Sequence, residues 1–198
     1  MKIIAGYLKA MKLKAPPNDQ HTRPTSAKVR EACVNLLRNK MQSAVFLDLF
    51  AGTGAMGIEA LSGGAKTCYF VEHDKLALVC LRQNLTLAKE RLAKQGMSNK
   101  VTKVLPFEVG ASLKKLRQYE HPDIIWADPP YAEIARWIEV FKRELGYLVK
   151  NKTQFVLEVQ DNMAQYVQLD ESVWRKIQQK TYGSTTIMIW EYLGENNE

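Results

Sequence analysis

Short apolar runs alternate with amphipathic helical patterns along most of this chain, and that alternation restricts the possible fold more than any other feature. Buried strands are predicted at residues 44–47, 67–71, 101–105, 124–127 and 155–159. A first helix is predicted to start at the Pro24-Thr25-Ser26 signal, and a second follows the glycine turn and ends at Leu61. Further helices are predicted at residues 76–92, 112–117 and 134–145. Because helices connect these strands, the sequence predicts a parallel sheet with right-handed crossovers.

The last two predicted strands differ from the first five. Residues 174–181 and 185–192 are joined by only three residues, which is too short for a crossover, so they must form an antiparallel hairpin. The predicted fold is therefore α/β: an open, Rossmann-like sheet of seven strands, mostly parallel, closing with a hairpin. The length of 198 residues suits a basic N-terminal arm or hairpin at residues 1–24 and a single domain at residues 25–198.

Positive charge is concentrated at the start of the chain. Residues 1–40 contain nine Lys or Arg and two acidic residues, an excess equal to the net charge of +7 for the whole chain. A basic segment on a neutral body is typical of proteins that bind a polyanion such as nucleic acid. The alternative interpretation is a solvated tail that only aids solubility.

The composition of the chain argues against several other classes of protein. No apolar run approaches the roughly 20 residues that a bilayer-spanning helix needs, and Lys9 and Lys12 interrupt the N-terminal pattern too early for a secretory signal. No membrane partner is therefore expected. The three cysteines are predicted to be buried thiols in a reducing cytoplasm, which indicates a cytoplasmic protein. The three histidines share no ligand spacing, so no metal site is predicted.

A glycine turn follows the first predicted strand, in the segment LDLFAGTGAMG at residues 47–57. Gly52, Thr53 and Gly54 allow the chain to turn sharply against a ligand without a Cβ atom in the way. Glu72 closes the second strand about 20 residues later, where a carboxylate can bind the ribose hydroxyls of an adenosine. Because NAD and S-adenosylmethionine both contain adenosine, Glu72 does not distinguish them.

Asp48, at the end of the first strand, favours S-adenosylmethionine. A dinucleotide would place its pyrophosphate at the following helix N-terminus, where a buried carboxylate would repel it. A sulfonium cofactor instead carries a positive sulfur and an α-amino group, which an acidic side chain attracts. A glycine turn without any ligand is the alternative interpretation.

The segment Asp128-Pro129-Pro130-Tyr131 directly follows the fourth strand and is predicted to lie at the same edge of the sheet. Two prolines stiffen the backbone and remove two N–H donors, which leaves the Asp128 carboxylate and the Pro129 carbonyl as acceptors. Acceptors beside an aromatic ring suit the exocyclic amine of a nucleobase, with Tyr131 stacking on the base. The alternative is a rigid turn with an aspartate cap.

These motifs together resemble the RsmD family, bacterial methyltransferases that modify the exocyclic N2 amine of a guanine in small-subunit (16S) ribosomal RNA. The resemblance covers almost the whole chain and keeps the motif order, through the segments IIAGYLKAMKL, TRPTSAKVRE, LDLFAGTGAMGIEAL, VEHD, ADPPY and YGSTTIMIWEY. It implies a class I methyltransferase fold, S-adenosylmethionine as methyl donor, and RNA of the small ribosomal subunit or an assembly intermediate as substrate, with the guanine at position 966 as the target.

The resemblance also implies a role for each matching residue. The catalytic set, which would hold the target amine and its base, is Asp128, Pro129, Pro130 and Tyr131. The implied cofactor-binding residues are Asp48, Phe50, Gly52, Thr53, Gly54, Glu72, His73, Glu108 and Val109. For Arg23, Thr25 and Arg30 the resemblance implies a position facing the RNA or the cofactor pocket, although Arg30 also fits a surface charge pair with Glu31. The charge of the basic segment independently predicts that Lys9, Lys12 and Lys14 bind RNA.

The sequence departs from the family pattern at two places. Glu108-Val109 stands where an Asp or Asn usually follows the third strand and meets the adenine amine, a contact that a longer carboxylate could still make. The segment Lys9-Ala10-Met11-Lys12 replaces an R-G-R segment, which keeps the charge but loses bidentate binding of phosphate.

Other functions remain open at this stage. The nearest enzymatic alternatives methylate adenine N6 in DNA or a glutamine amide in protein, but such enzymes usually carry Asn in place of Asp128, and DNA is not the expected partner. A catalytically silent RNA-binding or assembly factor could use the same sheet. An NAD-dependent dehydrogenase is the least supported alternative because no proton relay accompanies the glycine turn.

Overall fold

The computed structural model describes residues 1–17 and 27–194. Its helices are α1 (Ala27–Met41), α2 (Ala55–Ser62), α3 (Lys75–Ala93), α4 (Val109–Leu116) and α5 (Ile134–Glu144). Its strands are β1 (Val45–Asp48), β2 (Thr67–Val71), β3 (Val101–Leu105), β4 (Ile124–Ala127), β5 (Gln154–Gln160), β6 (Trp174–Tyr182) and β7 (Thr185–Tyr192). The predicted bounds of β2, β3, β4 and β7 are confirmed, whereas α4 begins three residues earlier than predicted.

All seven strands form one sheet in the order β3-β2-β1-β4-β5-β7-β6. The strands β1 to β5 pair in parallel, and β7 pairs antiparallel with both β5 and β6. This confirms the predicted doubly wound sheet with its closing hairpin. The chain order reverses between β1 and β4, so the carboxyl ends of these strands border the crevice where such sheets bind their ligands.

Helices cover both faces of the sheet, which explains why the central strands are apolar throughout rather than alternating. Every residue of β1 and β4 is buried. One core layer packs Phe46 and Trp126 against α1, α2 and α3, and the other packs Leu47 and Ile125 against α4 and α5. The sheet thereby holds the ends of β1 and β4 rigidly side by side.

The N-terminal segment, residues 1–17, packs against the body of the protein. Its apolar residues Ile3, Leu8 and Met11 are at most 2% exposed, and Lys2 and Lys12 form an antiparallel bridge. The interpretation as a solvated tail is therefore wrong for these residues, because they contribute to the core. The predicted boundary at residue 24 and the predicted helix start at residues 24–26 lie outside the described residues.

Arg30 lies inside the fold, which corrects both predictions made for it. Its side chain is buried, with Nε 3.3 Å from Glu59 Oε1 and Nη2 donating a hydrogen bond to the Lys2 carbonyl at 2.9 Å. Arg30 therefore neither faces RNA nor pairs with Glu31 on the surface. It fastens α1 to α2 and to the N-terminal segment, a role that depends on contacts distant in sequence.

The predicted burial of the three cysteines is confirmed, since Cys33, Cys68 and Cys80 are all buried free thiols. Within residues 1–17 and 27–194, no helix is both long enough and apolar enough to span a membrane.

Candidate active site

Three predicted acidic residues meet at the carboxyl edge of the sheet. Asp48 ends β1, Glu72 directly follows β2, and Asp128 directly follows β4. The register pairs Asp48 with Phe70 on one side and with Trp126 on the other, so the three strand ends are adjacent. The structure thus brings together the residues that the sequence predicted for the cofactor and for the target amine.

The glycines of the turn serve two different purposes. Gly52 and Gly54 have φ angles of +53° and +88°, in the left-handed region that favours glycine. Gly57 is needed for packing instead, because a Cβ atom there would lie 2.2 Å from the Phe70 ring. The third glycine therefore brings α2 close to β2, and the first two shape the turn that faces the crevice.

Glu72 joins the end of β2 to the glycine turn. Its Oε2 accepts a hydrogen bond from the Gly52 N–H at 2.7 Å, and its Oε1 accepts from the N–H groups of His73 and Asp74 at 2.7 and 2.8 Å. A carboxylate offers about four lone-pair sites, so acceptor capacity remains for ribose hydroxyls. The contact orients Glu72 at the place where the ribose is expected.

Asp48 is buried beneath the same turn, where its Oδ2 accepts a hydrogen bond from the Gly57 N–H at 3.0 Å. Burial raises the pKa of Asp48 to about 7, the Gly57 hydrogen bond partly opposes this shift, and the charges of Asp128 and Glu72 add to it. A positive group bound nearby would favour the ionised carboxylate. Asp48 is therefore suited to a cationic ligand.

The Asp128-Pro129-Pro130-Tyr131 segment leads from β4 into a short 3-10 helix at Tyr131–Glu133. Asp128 and Tyr131 are half-buried, Pro129 is buried and Pro130 is exposed. The Tyr131 hydroxyl lies 3.5 Å from Thr185 Oγ1, at the start of β7. The hairpin tip therefore borders the predicted target site.

Asp161 holds that hairpin tip in place. Its Oδ1 accepts hydrogen bonds from Thr181 Oγ1 at 3.0 Å and from Thr186 Oγ1 at 2.7 Å, and its N–H donates to the Ser184 carbonyl at 3.0 Å. Sequence reasoning missed both Asp161 and Thr185, since the side chains that they contact are distant in sequence.

Several predicted cofactor residues occupy less direct positions. The Phe50 ring packs edge-on against Trp137 of α5, with centroids 5.1 Å apart, so it supports the turn from the core side. Glu108 is exposed before α4, with Oε2 3.8 Å from Arg136 Nη2, whereas Val109 is buried. The His73 ring is exposed. These placements leave the predicted adenine contacts of Glu108 and Val109 as predictions.

Asn84 connects the glycine turn to the basic N-terminal segment. Its Nδ2 donates hydrogen bonds to the carbonyls of Thr53 at 2.9 Å and Lys14 at 3.0 Å, and its Oδ1 accepts from the Lys14 N–H at 2.8 Å. Lys9, Lys12 and Lys14 all have exposed side chains. Lys14 therefore lies beside the glycine turn, whereas Lys9 follows Leu8, whose N–H donates to Ser62 Oγ at the C-terminal end of α2. The predicted RNA contacts Arg23 and Thr25 lie outside the described residues.

A doubly wound sheet with a closing hairpin, an acidic residue under the glycine turn and a second at the end of β2 define a class I methyltransferase that depends on S-adenosylmethionine. The resemblance noted in the sequence is likewise confirmed. The family described as "Conserved hypothetical protein 95" matches residues 1–191, and the chain belongs to this family, the RsmD family.

Known proteins with similar sequences and structures agree with this assignment. The chain is 31% identical to "Putative rRNA methyltransferase YlbH" of Bacillus subtilis over 98% of this chain and 100% of that protein. It is 34% identical to "Ribosomal RNA small subunit methyltransferase D" of Haemophilus influenzae over 66% of this chain and 64% of that protein. Among solved structures, the "Putative methyltransferase yhhF" of Escherichia coli superposes with a TM-score of 0.77 at 22% identity, over 98% of this chain and 99% of that one.

Binding of S-adenosylmethionine is expected to strengthen with rising pH up to about 7. Asp48 must ionise to meet a cationic ligand, so binding below that pH releases a proton and affinity changes by up to about tenfold per pH unit. Calorimetry in buffers of different ionisation enthalpy measures the proton release directly. Asp48→Asn should bind more weakly and without this pH dependence, and an unchanged dependence in that variant would exclude Asp48 as its source.

The same shift affects the stability of the protein without cofactor. The pKa of Asp48 is raised from 3.8 to about 7 in the folded protein, so ionising it opposes folding. The neutral Asp48 carboxyl therefore contributes fully to the free energy of unfolding below pH 3.8, and this contribution is lost as the pH rises through about 7.

Proposed function

We propose that this protein transfers a methyl group from S-adenosylmethionine to the exocyclic N2 amine of a guanine in the RNA of the small ribosomal subunit, at the RsmD-type site, guanine 966. The observation that carries the proposal is the position of Asp128-Pro129-Pro130-Tyr131 at the end of β4, beside Asp48 and the glycine turn. The names of the Bacillus subtilis and Haemophilus influenzae relatives, an rRNA and a small-subunit rRNA methyltransferase, support RNA as the substrate.

The residues fit the cofactor as well as the target. Asp48 and the glycine turn would hold the methionine portion, and Glu72 the ribose. When bound there, S-adenosylmethionine supplies an electrophilic methyl carbon. The adjacent end of β4 would then present the target nitrogen to that carbon, since the ends of β1 and β4 are neighbours in the sheet.

Asp128 and the Pro129 carbonyl would activate the target amine. The nitrogen is a weak nucleophile because its lone pair is delocalised into the ring. Two acceptors on its hydrogens favour a tetrahedral nitrogen whose lone pair is localised. Positive charge then develops on nitrogen during transfer, and the nearby Asp128 carboxylate stabilises it in a partly desolvated site.

Deprotonation needs no strongly tuned base. The methylated nitrogen is very acidic, so Asp128 or water can accept its proton. Tyr131 would stack on the extruded base, and its hydroxyl contact with Thr185 would keep the ring oriented. Each role belongs to a residue that the sheet edge or the hairpin tip holds in place.

The decisive experiment compares substrates directly. The purified protein and labelled S-adenosylmethionine are incubated with undermethylated small subunits, naked small-subunit RNA, or DNA, and the modified nucleoside is then identified. We expect label in RNA as N2-methylguanosine. Label found as N6-methyladenine, or only in DNA or protein, would contradict the proposal and favour one of the alternative methyl acceptors.

The basic N-terminal segment is expected to bind the RNA backbone. Replacing Lys9, Lys12 and Lys14 by Gln should weaken RNA binding and flatten its salt dependence, by about 0.7 in logarithmic slope for each lost contact with single-stranded phosphate. Binding measured across a salt series tests this expectation.

A matched control changes three lysines at the opposite edge of the sheet. Lys66, Lys150 and Lys152 precede β2 and β5, so their replacement by Gln removes the same charge away from the site. If both triple variants change the salt slope equally, net charge rather than a docked basic segment explains the effect.

A further inference from the structure

One buried carboxylate near the site has no role in the mechanism above. Glu158 of β5 is 3% exposed. The β4–β5 register pairs Ala127 with Leu157, so continuing it by one residue brings Asp128 beside Glu158. Neighbouring parallel strands lie about 4.8 Å apart. The register therefore directs these two acidic residues toward neighbouring positions at the carboxyl edge.

Both carboxylates belong to the same face of the sheet. Trp126 and Val156, two residues earlier on each strand, pack in the core layer that contains Cys33 of α1. Alternation of side chains along a strand then assigns Asp128 and Glu158 to that face. Consistently, burial raises the pKa of Cys33, and the negative charges of Glu158 and Asp128 raise it further.

Paired carboxylates match the hydrogen-bonding edge of guanine. That edge offers two adjacent donors, the N1–H and the N2 amine, whereas the corresponding edge of adenine places an acceptor at N1. An ionised Glu158 would only accept hydrogen bonds, so it would repel an N1 lone pair. The N1–H of a bound guanine favours this ionised form over the protonated one that burial and the Asp128 charge favour in the free protein. A carboxylate has two oxygens, so Glu158 can keep other contacts while accepting the N1–H.

We propose that Glu158 determines the preference for guanine by accepting the N1–H while Asp128 accepts the N2 amine. The inference rests on the proposed function and assigns a further residue to the same site. Glu158 is buried, so water compensates poorly for a donor or acceptor that finds no partner there. The protein should therefore discriminate strongly between guanine and a base that lacks the N1–H.

The test uses a base that keeps the target amine but lacks the donor at N1. RNA substrates carry guanine or 2-aminopurine at the target position. The wild-type protein should strongly prefer guanine. Glu158→Gln should reduce this preference by roughly tenfold to a hundredfold, since an amide NH2 can donate to the N1 of 2-aminopurine.

Glu144→Gln is the matched control. Glu144 is another buried glutamate, on α5, where it pairs with Arg117 and Arg143, and its replacement should leave the substrate preference unchanged. If Glu158→Gln slows methylation of both bases equally, the role of Glu158 is structural and the inference is wrong.

A second measurement needs no variant and therefore does not depend on how Glu158→Gln folds. The wild-type protein should reject 1-methylguanine, which lacks the N1–H, and accept 7-deazaguanine, which keeps it. Equal methylation of 2-aminopurine and guanine by the wild-type protein would overturn the inference while leaving the proposed function intact. Failure to methylate any guanine would instead overturn the proposed function itself.

Discussion

Replacing Asp128 by Ala is expected to reduce methyl transfer by on the order of a hundredfold to a thousandfold while RNA affinity is nearly unchanged. The carboxylate meets the target amine where positive charge develops, so its loss affects the transition state more than the bound substrate. Phosphate contacts supply most of the binding energy and come from other residues. Single-turnover rates and RNA binding, measured side by side, separate the two effects.

Asp170→Ala is the control variant for Asp128→Ala, because it removes an aspartate that lies away from the site. Asp170 precedes β6 at the opposite edge of the sheet, where its carboxylate accepts hydrogen bonds from the N–H and hydroxyl of Ser172. That variant should methylate at nearly the wild-type rate. If Asp128→Ala retained full activity, or retained biological function without activity, a silent RNA-binding or assembly factor would be the better description of the protein.

Replacing Arg30 by Met is expected to lower the free energy of unfolding by about 3–5 kcal/mol. The change leaves the buried Glu59 carboxylate without its positive partner. Burial already raises the pKa of Glu59, and the charge of Arg30 opposes that shift. The Arg30 hydrogen bond to the Lys2 carbonyl is lost as well, so the N-terminal segment should also loosen. Urea denaturation measures the change.

A second substitution tests whether the unpaired Glu59 charge causes the loss of stability. Glu59→Gln removes the charge but keeps an acceptor for the Ile4 N–H, which donates to Glu59 Oε1 at 2.8 Å. Combined with Arg30→Met, it should recover much of the lost stability. The exposed Arg38→Met on the same helix should change stability by no more than about 0.5 kcal/mol. A double variant as unstable as the single one would show that the unpaired charge is not the cause.

Local sequence patterns were sufficient to predict most of the fold and the residues at the centre of the site. The bounds of four strands were predicted to the residue. For β2 and β4 the reason is that burial on both faces leaves a continuous apolar run. Asp48 and Asp128 follow such runs directly. Since the carboxyl ends of parallel strands share one edge, their proximity was predictable once the sheet was.

Contacts between distant segments were not predictable in the same way. Arg30 was expected to contact RNA or to form a surface pair with Glu31, but its buried partner Glu59 is 29 positions further along the chain. The Phe50 ring packs against Trp137 of α5, a contact that the sequence did not predict. In both cases the packing of one helix or turn against another decides the side chain's position.

By itself, the sequence determined the order of strands and helices, the glycine turn with its acidic neighbours, and the acceptor-rich segment after β4, because each depends on residues close together in the chain. Only the tertiary structure decided that the basic segment is docked through Asn84, that the β6–β7 tip reaches Tyr131, and that the β4–β5 register directs Glu158 toward Asp128. Those relations depend on strand register and on packing across the sheet, which bring together residues that no local pattern connects.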